Sequence, residues 1–122
     1  MTKGMLGGMI GPIVADEAFT AAAQALEIAR QNGLDPEAGK ALRILGQSQA
    51  AAGDANAAAQ SLSESFDLLQ AIEPLEAART QAVWGVVLKA AGQPEQATGH
   101  LHQARAVFEQ LGARADLRML EG

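Results

Sequence analysis

Residues 84–104, WGVVLKAAGQPEQATGHLHQA, decide the fold of this chain. Apolar residues recur at spacings of three and four on both sides of a Gly-Gln-Pro break at 92–94, which is the period of an α-helix with one apolar face. Glycine suits the left-handed residue that ends a helix, and proline suits the first residue of the next. The stretch therefore predicts an antiparallel helical hairpin.

The same pattern of proline and glycine at helix boundaries recurs along the rest of the chain. Prolines stand at helix starts at 36, 74 and 94, and glycines stand at helix ends at 33, 53, 92 and 112. Asp35 and Asp54 are expected to cap the helices that follow them by accepting free backbone N–H groups. These marks predict helices over residues 15–32, 36–52, 54–72, 74–91 and 93–112, with a short capping helix at 114–120. Because the connections are short, successive helices are expected to pack antiparallel in an all-α fold.

An internal repeat of two helices has a period of 39 residues. The shift carries Leu45-Gly46 to Trp84-Gly85, Ala58 to Ala97, and Leu62 to Leu101. Residues 18–34 match the second half of this unit at a shift near 40. Repeating helix pairs are typical of an α-solenoid, in which each unit buries its face against its neighbours. Small residues are expected where two helix axes cross closely: Gly46 facing Ala58, and Gly85 facing Ala97.

The repeat resembles the tetratricopeptide repeat (TPR). Its better copy has Trp84, Gly85, Leu88, Ala97, Leu101 and Ala104 at the family's positions, and its weaker copy has Leu45, Gly46, Ala58, Leu62 and Ser65. The aromatic expected three residues after the glycine is replaced by Gln49 and Leu88, and the period exceeds the usual value of about 34. The resemblance implies a TPR-like α-solenoid of about five antiparallel helices and a short cap. Its units are a leader at 1–14, a half repeat at 15–34, repeats at 36–72 and 74–112, and a cap at 114–120.

Longer repeats of this kind are similar to those in the C-terminal regions of large bacterial signalling regulators, which residues 104–114, ARAVFEQLGAR, resemble closely. TPR domains are scaffolds that bind peptides or partner helices on the concave surface formed by the first helix of each pair. The resemblance therefore implies a non-catalytic protein–protein interaction module. The alternative is an oligomerisation or structural domain of a larger bacterial transcriptional or signalling regulator. A third hypothesis, a small-molecule effector between the helices, requires a concave apolar pocket that a sequence does not show.

The expected groove carries positive charge. Lys40, Arg43 and Gln47 share one face of the first groove helix, and Arg79 and Lys89 occupy the matching region of the second. Cations donate charge-assisted hydrogen bonds to carboxylates, so these five residues are the expected contacts and an acidic peptide is the expected partner. The alternative is an ordinary solvated helix face, and the asparagines of carboxylate-clamp TPRs are absent.

The composition excludes several classes of function. The chain has 122 residues, a net charge of −5 and no cysteine, which argues against nucleic-acid binding and excludes disulfides and thiolate zinc sites. The Gly-rich apolar stretch 1–14 is shorter than the roughly 20 residues that cross a bilayer. It is interpreted as a flexible or apolar leader, and we expect a cytoplasmic protein without membrane contacts.

Catalytic and metal-binding constellations are missing from the sequence. The serines at 48, 61, 63 and 65 have no base beside them. His100 and His102 are two residues apart on a helix and point away from each other, so they cannot bind one metal ion together. We expect no enzyme activity, no cofactor and no metal. Both histidines are expected at surface or boundary positions, and Trp84 is expected in the core.

A solenoid needs covered ends, because a terminal unit otherwise exposes an apolar face. Three residues of the last helix are expected to cover the C-terminal end: Leu117, Met119 and Leu120. At the other end, the first helix lacks a hairpin partner. This interpretation leaves a strip uncovered at Ala22, Leu26 and Ala29. Either residues 5–14 fold over this strip or another chain covers it, and homo-oligomerisation through the strip is a further hypothesis.

Overall fold

Six α-helices make up residues 10–121, the part of the chain that this computed structural model describes, with side chains described from Glu17 onward. The helices are α1 (Ile10–Gln31), α2 (Asp35–Ala51), α3 (Ala55–Leu69), α4 (Pro74–Ala90), α5 (Pro94–Leu111) and α6 (Arg114–Glu121). Residues 10–121 contain no strand. The all-α prediction is confirmed for this range.

The helix boundaries follow the local chemistry of the chain. Each of the four glycines between helices has a positive φ, for example 89° at Gly53. The Asp54 carboxylate accepts a hydrogen bond from the Ala57 backbone N–H at 3.1 Å, as a helix cap should. The same prediction was wrong for Asp35, which is itself the first residue of α2. Leu34 takes the cap position there and makes no side-chain cap bond.

The first helix is longer than the periodicity predicted, because it begins at Ile10 rather than at 15. Pro12 is its third residue. Proline is tolerated in the first turn, where a backbone N–H has no partner within the helix. The last residues of the predicted leader are therefore helical, and residues 1–9 of that leader lie outside the described residues.

Each helix packs against the next one along the chain, and α2 also contacts α4. Both complete hairpins cross at a glycine. A Cβ added to Gly46 would lie 2.7 Å from the nearest leucine Cγ, and one added to Gly85 would lie 2.5 Å away. The residues that meet these glycines are Leu62 and the Ala58 carbonyl in α3, and Leu101 and the Ala97 carbonyl in α5. No larger residue fits at either crossing without moving a neighbour.

The strip on α1 that the sequence analysis left uncovered is in fact buried. Ala22, Leu26 and Ala29 are at most 7% exposed, and the latter two pack in one cluster with apolar residues of α2. The prediction was wrong because α2, together with Leu68 of α3, packs against this part of α1. The oligomerisation hypothesis therefore loses the surface on which it was based.

The C-terminal end is closed by part of α6. Leu117 and Leu120 pack against the buried Ala104 and Phe108 of α5. Met119 was also expected to cover this end, but it is 78% exposed. Met119 instead lines the cleft described next.

Candidate functional site

A cleft of about 710 Å³ lies between α2, α4 and α6. Eight of its lining residues are apolar: Ala82, Val83, Val86, Val87, Phe108, Ala115, Met119 and Leu120. Val86 and Met119, at 60% and 78% exposure, form its outer part, whereas Phe108 of α5 is 1% exposed. The cleft therefore extends from the surface to the apolar core.

Two arginines and two carboxylates form a continuous set of ion pairs at the polar edge of the cleft. Arg43 Nη2 donates to Glu76 Oε1 at 2.8 Å, and its Nη1 donates to the Glu76 backbone carbonyl at 3.0 Å. Arg79 Nη1 donates to Glu76 Oε2 at 2.8 Å. Arg79 also donates to both carboxylate oxygens of Asp116, from Nε at 2.9 Å and from Nη2 at 3.2 Å. The four charges cancel.

These contacts favour the ionised forms of Glu76 and Arg79. Burial by itself would raise the pKa of Glu76, but the hydrogen bond and charge of Arg43, with the charges of Arg79 and Lys40, outweigh it and hold that pKa below the ordinary value of 4.5. The hydrogen bond to Asp116 raises the pKa of Arg79. The Arg43 and Glu76 side chains are each 17% exposed, so solvent screens this pair less than it screens Arg79, which is 39% exposed.

Three of the five predicted contact residues, Arg43, Gln47 and Arg79, line this cleft together. Lys40 lies beside it, with Nζ 3.4 Å from Glu73 Oε1. Lys89 is exposed on α4 and is not among the residues that line the cleft.

Sequence reasoning missed the carboxylates that pair with the groove cations. Glu73 and Asp116 bond to cations on other helices, so their roles depend on how the helices pack. Glu76 and Arg79 are three residues apart on one helix, and this spacing alone could have indicated their ion pair. The free positive charge expected of the groove is therefore largely neutralised within the chain.

A chain of buried hydroxyl groups links three helices beneath this edge. Ser65 Oγ lies 2.7 Å from the Gly39 carbonyl and 2.9 Å from Thr80 Oγ1, and Arg43 Nη1 lies 3.4 Å from the same Thr80 oxygen. A carbonyl cannot donate, so Ser65 donates to Gly39, Thr80 donates to Ser65, and Arg43 donates to Thr80. Ser65 and Thr80 are both 0% exposed. These hydrogen bonds fix α2, α3 and α4 relative to one another.

The tryptophan occupies a boundary position rather than the predicted core position. Trp84 is half-buried, as is its repeat counterpart Leu45, and its ring stacks on His100 with centroids 4.2 Å apart. His100 Nδ1 lies 2.6 Å from Gln81 Oε1, and Gln81 Nε2 donates to Gln103 at 2.6 Å. His100 Nδ1 therefore carries a proton. Burial lowers the pKa of His100.

Within residues 10–121, no helix is long and apolar enough to cross a membrane. Among the side chains that the structure describes, from Glu17 onward, no group of three or more His, Cys, Asp or Glu residues is placed to hold a metal ion. His102 is exposed. In comparisons with known proteins, no family model, curated protein or solved structure matches this chain. Its function is therefore argued from its own geometry.

Proposed function

We propose that this chain is a TPR-like α-solenoid that acts as a non-catalytic protein-interaction module. Its groove between α2, α4 and α6 binds the apolar face of a peptide or partner helix. The observation that carries the proposal is the cleft itself, in which exposed Val86 and Met119 continue into a buried apolar floor at Phe108. Contiguous exposed apolar surface with a polar edge is typical of an interaction site.

Equivalent contacts in successive units support the repeat assignment. The first helix of each complete pair ends with the same backbone hydrogen bond, from the Asp54 N–H to the Gln49 carbonyl and from the Gln93 N–H to the Leu88 carbonyl, both at 2.9 Å. The contact between α2 and α4 brings the first helices of the two complete pairs onto one surface.

The chemistry of the groove favours an apolar partner over an acidic one. A carboxylate from a partner would have to compete with Glu76 and Asp116, which already bond to Arg43 and Arg79. Apolar contacts carry no such competition, and they release water from Val86 and Met119 on docking. In this proposal the apolar wall provides the affinity, and the polar edge restricts the orientation of the partner.

A display selection tests the proposal and requires no identified partner. A library of random peptides is selected against the immobilised chain, and enriched peptides are then measured on two variants. Val86→Asp places an unpaired carboxylate on the apolar wall, and Ile72→Asp makes the same change at a residue that is 53% exposed in the α3–α4 turn. The proposal expects binding to fall at least about tenfold in Val86→Asp, a loss of about 1.4 kcal/mol, and to be unchanged in Ile72→Asp. A selection that enriches no peptide, or peptides that bind both variants equally, contradicts it.

A further inference from the structure

We infer that the cleft between α2, α4 and α6 also binds an uncharged, largely apolar small molecule, an activity beyond the docking of a protein partner. The volume of about 710 Å³ falls within the range of roughly 300–1,000 Å³ that is usual for small-molecule sites. Such sites are lined mainly by apolar side chains with a few polar groups. This cleft has eight apolar lining residues and four polar ones.

The charge of the site selects against ions. Arg43 and Arg79 are balanced by Glu76 and Asp116, and Arg79 donates from three nitrogens to these two carboxylates. A charged ligand would lose hydration on entering the cleft and would find no unpaired charge of opposite sign to compensate it. An uncharged ligand meets no such penalty.

One polar lining residue remains available to a ligand. Among the residues that the structure describes, Gln47 is the polar lining side chain that makes no hydrogen bond within the chain, and it stands exposed at the edge of the cleft. Its amide can both donate and accept, which suits a hydroxyl, carbonyl or amine group on an otherwise apolar ligand.

A shallower depression beside Trp84 lacks these features. It lies beside Trp84 on the other side of α4, and none of its lining residues is buried. Two of them, Glu64 and Asp67, are acidic. A volume suited to a small molecule, a buried apolar floor and balanced charges are found together in the cleft between α2, α4 and α6.

Two fluorescent probes of nearly the same shape test the inference. N-phenyl-1-naphthylamine is uncharged, and 8-anilinonaphthalene-1-sulfonate adds one sulfonate to the same ring system. The uncharged probe is expected to bind one site per chain, at least about tenfold more tightly than the sulfonate. Ala82→Phe fills the cleft without adding charge and should abolish this binding, whereas Ile72→Asp should leave it unchanged. Equal affinity for the two probes, or binding that survives Ala82→Phe, overturns the inference.

Two further variants separate charge cancellation in the cleft from the overall negative charge of the chain. Asp116→Asn leaves Arg79 with one carboxylate fewer, and Gln47→Lys adds a positive charge without disturbing an ion pair. In each variant, the affinity for the sulfonate should rise about tenfold relative to the affinity for the uncharged probe. A sulfonate affinity that does not rise in Gln47→Lys contradicts the role assigned to charge.

The outcome is independent of the peptide selection. Peptides that bind the wall in the absence of probe binding would leave the proposed function intact and remove this inference. Probe binding without any enriched peptide would support this inference and contradict the proposed function.

Discussion

Alanine substitutions at three helical glycines are expected to change stability in opposite directions. Alanine is favoured over glycine inside a helix by about 1 kcal/mol. A Cβ added to Gly99 would meet no heavy atom within 4 Å, so Gly99→Ala should be stabilising by about that amount. At Gly46 and Gly85, the added Cβ would lie 2.7 and 2.5 Å from a leucine Cγ, which is closer than carbon atoms approach in proteins.

How far each leucine side chain can move determines how much the free energy of unfolding falls. Overpacking a core costs about 1–3 kcal/mol. Leu62 is 0% exposed and cannot move aside, so the upper value applies to Gly46→Ala and leaves a net loss of about 2 kcal/mol after the helix preference. Leu101 is half-buried and can turn towards solvent, which reduces the expected net loss for Gly85→Ala to about 1 kcal/mol.

Thermal and urea unfolding followed by far-ultraviolet circular dichroism measure these differences. For a domain of this size, 1 kcal/mol corresponds to about 4 °C in Tm. Gly99→Ala should therefore raise Tm by about 4 °C, and Gly46→Ala should lower it by about 8 °C. A Gly46→Ala variant that is as stable as the wild type would refute the close crossing of α2 and α3, because the helix preference alone would then raise its stability.

Three further predictions concern the polar groups. Glu76→Gln should reduce the free energy of unfolding by about 2 kcal/mol at neutral pH. This difference should shrink as the pH falls below 4.5, because a carboxyl group with a lowered pKa stabilises the fold only while it is ionised. Ser65→Ala should cost about 1–3 kcal/mol by leaving the Thr80 hydroxyl without its acceptor, and Thr80→Val added to it should recover much of the loss in a double-mutant cycle. The free energy of unfolding of the wild type should decline as the pH falls from 6.5, because protonation of His100 favours the unfolded chain. The fluorescence of the single tryptophan follows this unfolding, and His100→Gln should remove the pH dependence in this range.

The helices could be predicted from the sequence because their signals are local. Proline, glycine and apolar spacing act within one turn, so the boundaries of α2, α4 and α5 differ from the predicted ones by at most one residue. The start of α1 was predicted too late because Pro12 was expected to weaken a helix. Pro12 lies in the first turn of α1, where the missing N–H removes no hydrogen bond within the helix. The close contact of Gly39 with Leu69 was missed as well. This contact does not show in the repeat pattern, because the residue equivalent to Gly39 in the next unit is Ala78 and not a second glycine.

The cleft could not be predicted from the sequence because it depends on how helices that are distant along the chain approach one another. Lys40, Arg43 and Arg79 were correctly placed on two neighbouring groove helices, but the acids that neutralise them became visible only once α4 lay beside α2 and α6 lay beside α4. Nothing in the spacing of Asp116 indicates that it bonds to Arg79. Charge on a helix face is therefore a weak guide to the charge of the groove that the face helps to form.

The third wall of the cleft depends on an element that is not stable by itself. An eight-residue helix is too short to persist alone in water, so α6 is held by the packing of Leu117 and Leu120 and by the two hydrogen bonds from Arg79 to Asp116. Four of the lining residues belong to α6, and the cleft exists only while α6 is in place. A ligand that contacts Met119 and Leu120 binds this arrangement alone and therefore stabilises it by mass action. Occupation of the cleft and docking of α6 are in this way coupled equilibria, and Asp116 contributes to both the geometry and the charge of the site.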